Sequence, residues 1–410
     1  MCTLTRPFTL KITSHNFSPF IPSNAALEAS DLADKAVTMA ITSAKLAGSL
    51  PAETRNTIAQ HMAVINSYYS NLIEGNRTRP HEIRAAQRGD FSGDLTKRDL
   101  QMESLAHIKV QEWIQEQAPT LDEIFSPRFI QSIHRTFYEQ VPESLKQLKN
   151  TKGEIADEVT PGQWRTKEVM VGRHQPPPAS DLSALMKQFC EIYHPMRYKG
   201  EKKIIATLCA HHRFAWIHPF ADGNGRVARL LTDSTLSASS IESYGVWCLS
   251  RGLARASDQY KTLLEHADFP RQGDHDGRGL LSEQNLVQFC NFMLDIALDQ
   301  IDYISNLLHL DQLRTRIQGY IHARNDGRIP GLGSIKPIAA LILYNAFVLG
   351  KLDRATALEL CAMPERTARR LLSQLREEGL LSDTSSKSPL YWAIPEHAEP
   401  WYFPQLTPGS

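Results

Sequence analysis

The sequence predicts a mainly α-helical protein of two or three units, and three observations carry that expectation. Apolar residues recur three and four positions apart along most of the chain, the spacing of one helical face. Alternating, strand-like stretches are few: one around Val169 and Val171, and one from Leu390 to Ile394. The length, 410 residues with 42% hydrophobic and 22% charged, exceeds what one hydrophobic core usually serves and excludes disorder as the dominant state.

Taken in order, Ile58, Met62, Ile65, Tyr69 and Leu72 form one stripe of an amphipathic helix that Gly75 should stop. Similar periodicity predicts helices from Leu100 to Ile114 and from Phe129 to Tyr138. Residues 150 to 178 read differently: Thr160-Pro161-Gly162 and Pro176-Pro177-Pro178 bracket Val169 and Val171, which predicts a hairpin or flap. Helices resume at Asp181 to Tyr193 and Lys203 to Trp216, then after Arg226, and again from Glu283 to Leu308. The stretch RNDGRIPGLGSIK, Arg324 to Lys336, is rich in Gly, Pro and Asn and marks a domain boundary. Beyond it the sequence predicts helices at Ile338 to Leu349, Arg354 to Cys361 and Pro364 to Gly379. Leu380-Leu381 and Leu390 to Ile394 then form a two-stranded wing. That order resembles a winged helix-turn-helix.

Lys+Arg and Asp+Glu each total 45, so the net charge is zero with His neutral. This excludes a whole-chain positive field for nucleic acid or anionic lipid, though not a local patch. Six cysteines (Cys2, Cys190, Cys209, Cys248, Cys290, Cys361) are scattered without metal-ligand spacing, which fits a reducing compartment. The amino terminus lacks the long apolar core of a secretory signal. Ile338 to Leu349 is too short to span a bilayer and contains Asn345. The expectation is a cytoplasmic protein with no membrane partner.

Chemistry concentrates in His218-Pro-Phe-Ala-Asp222-Gly-Asn-Gly-Arg226-Val-Ala-Arg229. Gly223-Asn224-Gly225 lets the backbone turn sharply before a helix, so successive N–H groups converge on an anion site. Arg226 and Arg229, three apart, lie on one face of the first turn and present forked donors to a polyphosphate. Asp222 beside them suits a Mg²⁺ that bridges phosphate oxygens. His218 has the intrinsic pKa of a general base near neutrality. These parts serve transfer of several kinds of phosphate-containing group.

HPFADGNGRVAR matches in full the HPFx(D/E)GNGRxxR signature of Fic-domain proteins, and the chain resembles that family beyond it. Gly162 to Gly172 (GQWRTKEVMVG) looks like the family's target-docking flap, and Gly273 to Cys290 is similar to a helical extension of many bacterial members. The resemblance implies a Fic-type helical bundle with a short β-hairpin flap and a carboxy-terminal winged helix-turn-helix. It implies a protein adenylyltransferase that moves AMP from ATP, with Mg²⁺, to a Ser, Thr or Tyr hydroxyl of a target protein, or of itself, releasing pyrophosphate. His218 would then be the base and Asp222 the metal ligand. Gly223, Asn224, Gly225, Arg226, Val227, Ala228 and Arg229 would hold the phosphates, with Arg229 at the γ-phosphate. Adenine would lie against Tyr260 and Lys261, where the family often has a Tyr-Tyr pair.

Ser70 and Glu74, one helical turn apart in SNLIEG, match the family's inhibitory pattern (S/T)xxxE(G/N). There the resemblance implies that Glu74 pairs with Arg229 and displaces the γ-phosphate. The expected units are an amino-terminal helical region 1–110 with the inhibitory helix at about 55–75, a catalytic core with extension 111–325, and a winged-helix domain 326–410. The flap should pair with a target segment by β-augmentation. A homodimer is also among the expected partners.

Arg366, Arg369, Arg370 and Arg376 should face away from the leucines of the third tail helix, which would suit DNA. Residues 331–410 nevertheless hold eight Lys and Arg against eight Asp and Glu, which favours a protein-docking or dimer-supporting tail. Two alternatives stay beside the main reading: a DNA-binding regulator that uses the domain as a nucleotide sensor, and an enzyme that also removes AMP.

Overall fold

The structure, a computed structural model, describes residues 13–149, 152–239 and 241–407. Cys2 and the first 12 residues of the segment read for a secretory signal lie outside the described residues. Five short or long helices open the chain: α1 (Asn24–Glu28), α2 (Leu32–Gly48), α3 (Ala52–Ile73), α4 (Pro80–Gln87) and α5 (Leu95–Gln117). The stripe Ile58, Met62, Ile65 and Tyr69 is buried along α3, as its spacing predicts. Asp94 caps α5 by accepting from the Lys97 N–H. After α6 (Leu121–Ile124), Ser126 caps α7 (Pro127–Tyr138), with proline at its first position.

Strands β1 (Gln147–Lys149) and β2 (Ile155–Glu158) then pair antiparallel. The expected hairpin is thus present, but earlier in the chain than the segment read as the flap. The paired strands lie upstream of Val169 and Val171, and that later segment carries only one isolated bridge, Val171 to His174. Prolines at 161 and 176–178 remove backbone donors at both of its ends. The buried Arg165 holds it instead, donating to the carbonyls of His218, Lys167 and Pro177.

Next come α8 (Leu182–Tyr193), α9 (Lys202–Ile217), α10 (Asn224–Ala238), α11 (Leu249–Arg255), α12 (Ser257–His266), α13 (Glu283–Leu308) and α14 (Leu310–Asn325). Helix α9 is buried on almost every side, and α10 packs along it. Helix α10 starts at Asn224, not after Arg226 as read from the sequence, because Gly223 turns the chain with φ 79°. Arg226 and Arg229 therefore both sit inside the helix.

The carboxy-terminal segment supplies α15 (Ala339–Leu349), α16 (Arg354–Leu360), α17 (Glu365–Glu377), the antiparallel pair β3 (Leu381–Ser382) and β4 (Tyr391–Trp392), and α18 (Glu399–Tyr402). It folds back onto α3. Thr54 Oγ1 donates to the Phe347 carbonyl at 2.7 Å, and Tyr69 Oη to the Leu406 carbonyl at 2.9 Å. Buried Glu399 pairs with Arg84 and His61. On α17, Arg366, Arg369 and Arg370 are exposed, but Arg376 is not the free phosphate donor expected of it. Its Nε lies 2.8 Å from Asp383 Oδ2, because the turn before β4 brings that carboxylate back to the helix. Among the described residues no helix is long and apolar enough to cross a membrane.

Candidate active site

A cavity of about 410 Å³ opens where α3, α9, α10, α12 and the 171–174 turn meet, and His218, Asn224, Gly225, Ala228, Arg229, Tyr260 and Lys261 line it. His218 ends α9 in the left-handed region, φ 49° and ψ 61°. Its Nδ1 lies 3.3 Å from the Ala215 carbonyl. A carbonyl only accepts, so Nδ1 carries the hydrogen and Nε2 keeps a lone pair. Burial, reinforced by Arg165 and His174, pulls the imidazole pKa down to about 4, against the Ala215 hydrogen bond. The ring is therefore neutral and ready to accept a proton at physiological pH.

The turn into α10 is closed by a side chain. Asn224 accepts from the Phe220 N–H at 2.9 Å and donates to the Phe220 carbonyl at 2.8 Å. Its amide is thus committed to the loop, which leaves backbone for an anion. At Gly223 a β-carbon would stand 2.8 Å from Tyr138 Cε2. At Gly225 a β-carbon would collide with Glu74 Oε1, so the Glu74 carboxylate rests directly on the first turn of α10. That is where a helix end favours negative charge.

Glu74 lies at the end of α3, and its side chain is 37% exposed. Its Oε1 accepts from Arg229 Nη2 at 2.7 Å. Arg229, 2% exposed, also donates through Nε to Ser70 Oγ at 2.9 Å and through Nη2 to the Ser70 carbonyl at 3.0 Å. Burial disfavours the Glu74 charge, but Arg229 and Arg226 outweigh it and hold the carboxyl below its usual range. Ser70 and Glu74, four residues apart on α3, lie 159 and 155 residues before Arg229 and meet it in one contact.

Tyr260 is 3% exposed, more buried than a base-flanking ring at a rim. Its hydroxyl lies 2.7 Å from His211 Nε2, and His211 Nδ1 lies 2.8 Å from Thr232 Oγ1, which donates to the Ala228 carbonyl. Tyr260 thus stiffens the cavity floor, whereas Lys261 stands exposed at the rim. Val227 faces the core, 2% exposed, and does not line the cavity.

Asp222 and Arg226 stand to one side of it. Asp222 Oδ2 accepts from Tyr138 Oη at 2.6 Å and from Arg226 Nη2 at 3.1 Å, and its side chain is 44% exposed. Burial works against its charge, but Arg226 and Tyr138 hold the carboxyl below its usual range. One oxygen of an ionised carboxylate therefore remains for a divalent cation, which fits Mg²⁺ held chiefly by substrate phosphates. Arg226 also pairs with Glu103 of α5, and Glu103 accepts from Asn76 Nδ2 at 2.8 Å.

Sequence reasoning missed Glu103, His134 and Arg165. His134 stacks on Phe220 at 3.9 Å, accepts from the Gly162 N–H and approaches the Asp222 carbonyl, so it ties the 160–178 segment to the turn. Arg165 does the same from the other side. No spacing announces such distant partners.

Residues 124–236 match the Fic/DOC family. "Protein adenylyltransferase Fic" of Aedes aegypti is 28% identical over 177 residues, which is 41% of this chain and 31% of that protein. The protein of the same name from Culex quinquefasciatus is 29% identical over 177 residues, with the same shares. The chain thus spans less than a third of the length of these relatives. Among solved structures, a Fic family protein from Desulfovibrio desulfuricans G20 aligns over 88% of this chain and 96% of its own, with TM-score 0.50 and 16% identity. Fic-1 (aa134–508) from C. elegans aligns over 69% and 74%, with TM-score 0.52 and 15% identity, and both show likeness of fold alone. The likeness to the Fic/DOC family thus rests on residues 124–236 of the 410.

Proposed function

We propose that this chain is a protein adenylyltransferase that moves AMP from ATP to a hydroxyl of a target protein, held in check by Glu74. One observation carries the reading: a neutral imidazole, an anion-binding helix start and a carboxylate seated on the buried Arg229 share one cavity. The curated relatives named for adenylyl transfer support it.

In this mechanism His218 Nε2 takes the proton from the incoming hydroxyl as its oxygen bonds to the α-phosphorus. The bond from that phosphorus to the bridging oxygen breaks, and pyrophosphate leaves. The α10 backbone and Arg229 position the phosphates and stabilise their charge. Asp222 is the residue that would hold Mg²⁺, which supplies charge neutralisation when bound. Glu74 occupies the place of an anionic phosphate, so its docked position excludes productive ATP.

The exposed Val171, at the cavity mouth, and its exposed neighbour Met170 offer an extended edge to a target segment. The tail, read as a winged helix, serves protein docking better than DNA. Arg369 is already paired with Glu365 and Arg376 with Asp383. Five described cysteines, all buried and free, suit a cytoplasmic setting.

The test is incubation of the full chain, parent and Glu74→Gly, with Mg²⁺ and ATP labelled on the α-phosphate in a lysate. Protein-bound label that rises in Glu74→Gly and disappears with His218→Ala is expected. Label that appears only when the γ-phosphate carries it would overturn adenylyl transfer.

A further inference from the structure

A second cavity, of about 500 Å³, lies on the opposite stretch of α3 from Glu74, between α3, α5, α10 and the 244–248 turn. That volume is in the range of small-molecule sites. Met62, Ile114, Leu230 and Trp247 give it an apolar wall, and Asn66 and Asp233 give it a polar end. The donors at that end are already used. Asn66 Nδ2 donates to Gln111 Oε1 at 2.9 Å and to Asp233 Oδ2 at 3.0 Å. Gln111 Nε2 donates to the Ala63 carbonyl at 3.0 Å, and Tyr244 Oη donates to Asp233 Oδ1.

What remains is acceptor and negative charge. Asn66 is 6% exposed, yet its Oδ1 is buried without a hydrogen-bond partner, a destabilising state for a polar atom. Asp233 has neutral partners, Tyr244 and Asn66, in place of an ion pair. Burial pushes its carboxyl up to about 6 against both hydrogen bonds and the Arg229 charge, so near neutrality the cavity holds a carboxylate in want of a cation. At that end an anion or a pure acceptor meets no free donor.

We propose that this cavity is a second binding site, for a small primary amine with an apolar or aromatic body, whose ammonium is shared between Asp233 and Asn66 Oδ1. The body fills the wall formed by Met62 and Trp247, and the ammonium supplies the hydrogen that Asn66 lacks. Such an occupant ties α3 to α10. Because those helices carry Glu74 and Arg229, it favours the docked position of α3, a consequence that rests on the brake proposed above.

Calorimetric titration of the full chain with 2-phenylethylammonium tests the site without reference to activity. Saturable one-to-one binding is expected, at least about tenfold tighter than for 2-phenylethanol and with none for phenylacetate. Asp233→Asn should weaken it by about ten- to a hundredfold. Ala63→Leu, which fills the cavity from α3 while leaving Asp233 in place, should abolish it while the melting temperature holds. Amine binding no tighter than that of the alcohol, or unchanged in Ala63→Leu, overturns the site. For the link to the brake, the amine should slow label transfer several-fold in the parent and not in Glu74→Gly. Equal slowing in both would overturn that link while leaving the calorimetric result intact.

Discussion

Arg226 and Arg229 stand one turn apart on α10, yet different helices hold them in different ways. Arg229 meets Glu74 and Ser70 on α3, and the contact faces the cavity. Arg226 meets Glu103 on α5 and Asp222 on its own loop, packs 4.7 Å over the Phe137 ring, and lies outside the cavity lining. Two chemically equal guanidiniums are thus given unequal tasks by their partners. The partner of Arg229 is 37% exposed at the end of a helix and can leave, whereas Glu103 is 14% exposed and tied to Asn76. One carboxylate is placed to be released, the other to stay.

The comparison matters only if both arginines serve chemistry at His218, so the largest expected effect tests that. His218→Ala should lower label transfer by about 10²–10⁴-fold, with ATP binding by calorimetry preserved because the base acts on the hydroxyl. Transfer that survives would detach both arginines from the imidazole.

The next effect separates the two carboxylates. If the docked α3 holds about 99% of molecules unproductive, Glu74→Gly should raise transfer about a hundredfold, equivalent to about 2.8 kcal/mol. Adding Arg229→Ala should cancel most of the gain, since both residues act through one contact. Ser70→Ala should release the brake by only about fivefold, since it removes one hydrogen bond from Arg229 Nε while the Ser70 carbonyl and Glu74 still hold that arginine. A Glu74→Gly protein no faster than the parent would make Glu74 only the end of a helix.

Glu103→Gln, measured in the Glu74→Gly background, should change transfer by no more than about threefold. A glutamine keeps a hydrogen bond to Arg226 while giving up the charge, and Asp222 still pairs with that arginine. A gain as large as that of Glu74→Gly would collapse the distinction and make Glu103 a second brake.

This contrast also explains what the sequence could and could not tell. The Ser70–Glu74 spacing, the glycines and the two arginines are local, so a turn and a helix face could be read directly. The same holds for α13, whose span Glu283–Leu308 follows from periodicity and a Ser282 cap. Glu103 is 123 residues from Arg226, and Arg165 is 53 from His218; their roles exist only after packing. The flap misled for a related reason. Val169 and Val171 alternate like a strand, but no neighbouring segment supplies a ladder, and Arg165 supplies the hydrogen bonds instead. The tail's closeness to α3 was equally invisible, resting on Thr54, Tyr69 and Glu399 meeting distant partners.

The smallest effect concerns pH and keeps the two carboxylates apart from the base. Glu74 is held below its usual carboxyl range, so its pairing with Arg229 is complete at neutral pH and is lost only as pH falls through that lowered value. His218, drawn down to about 4, stays neutral over the same neutral range. Between pH 7.5 and 6 neither group should therefore change charge appreciably. In Glu74→Gly the fraction of unprotonated His218 should fall by only about 1% at pH 6, whereas an imidazole at its ordinary value of about 6.5 would lose about three quarters of its base form. ¹⁵N NMR of the His218 ring measures this directly and also reports which nitrogen carries hydrogen. A midpoint near 4 with hydrogen on Nδ1 is expected. A midpoint near 6.5, or hydrogen on Nε2, would mean that neither burial nor the Ala215 carbonyl sets the state of the base.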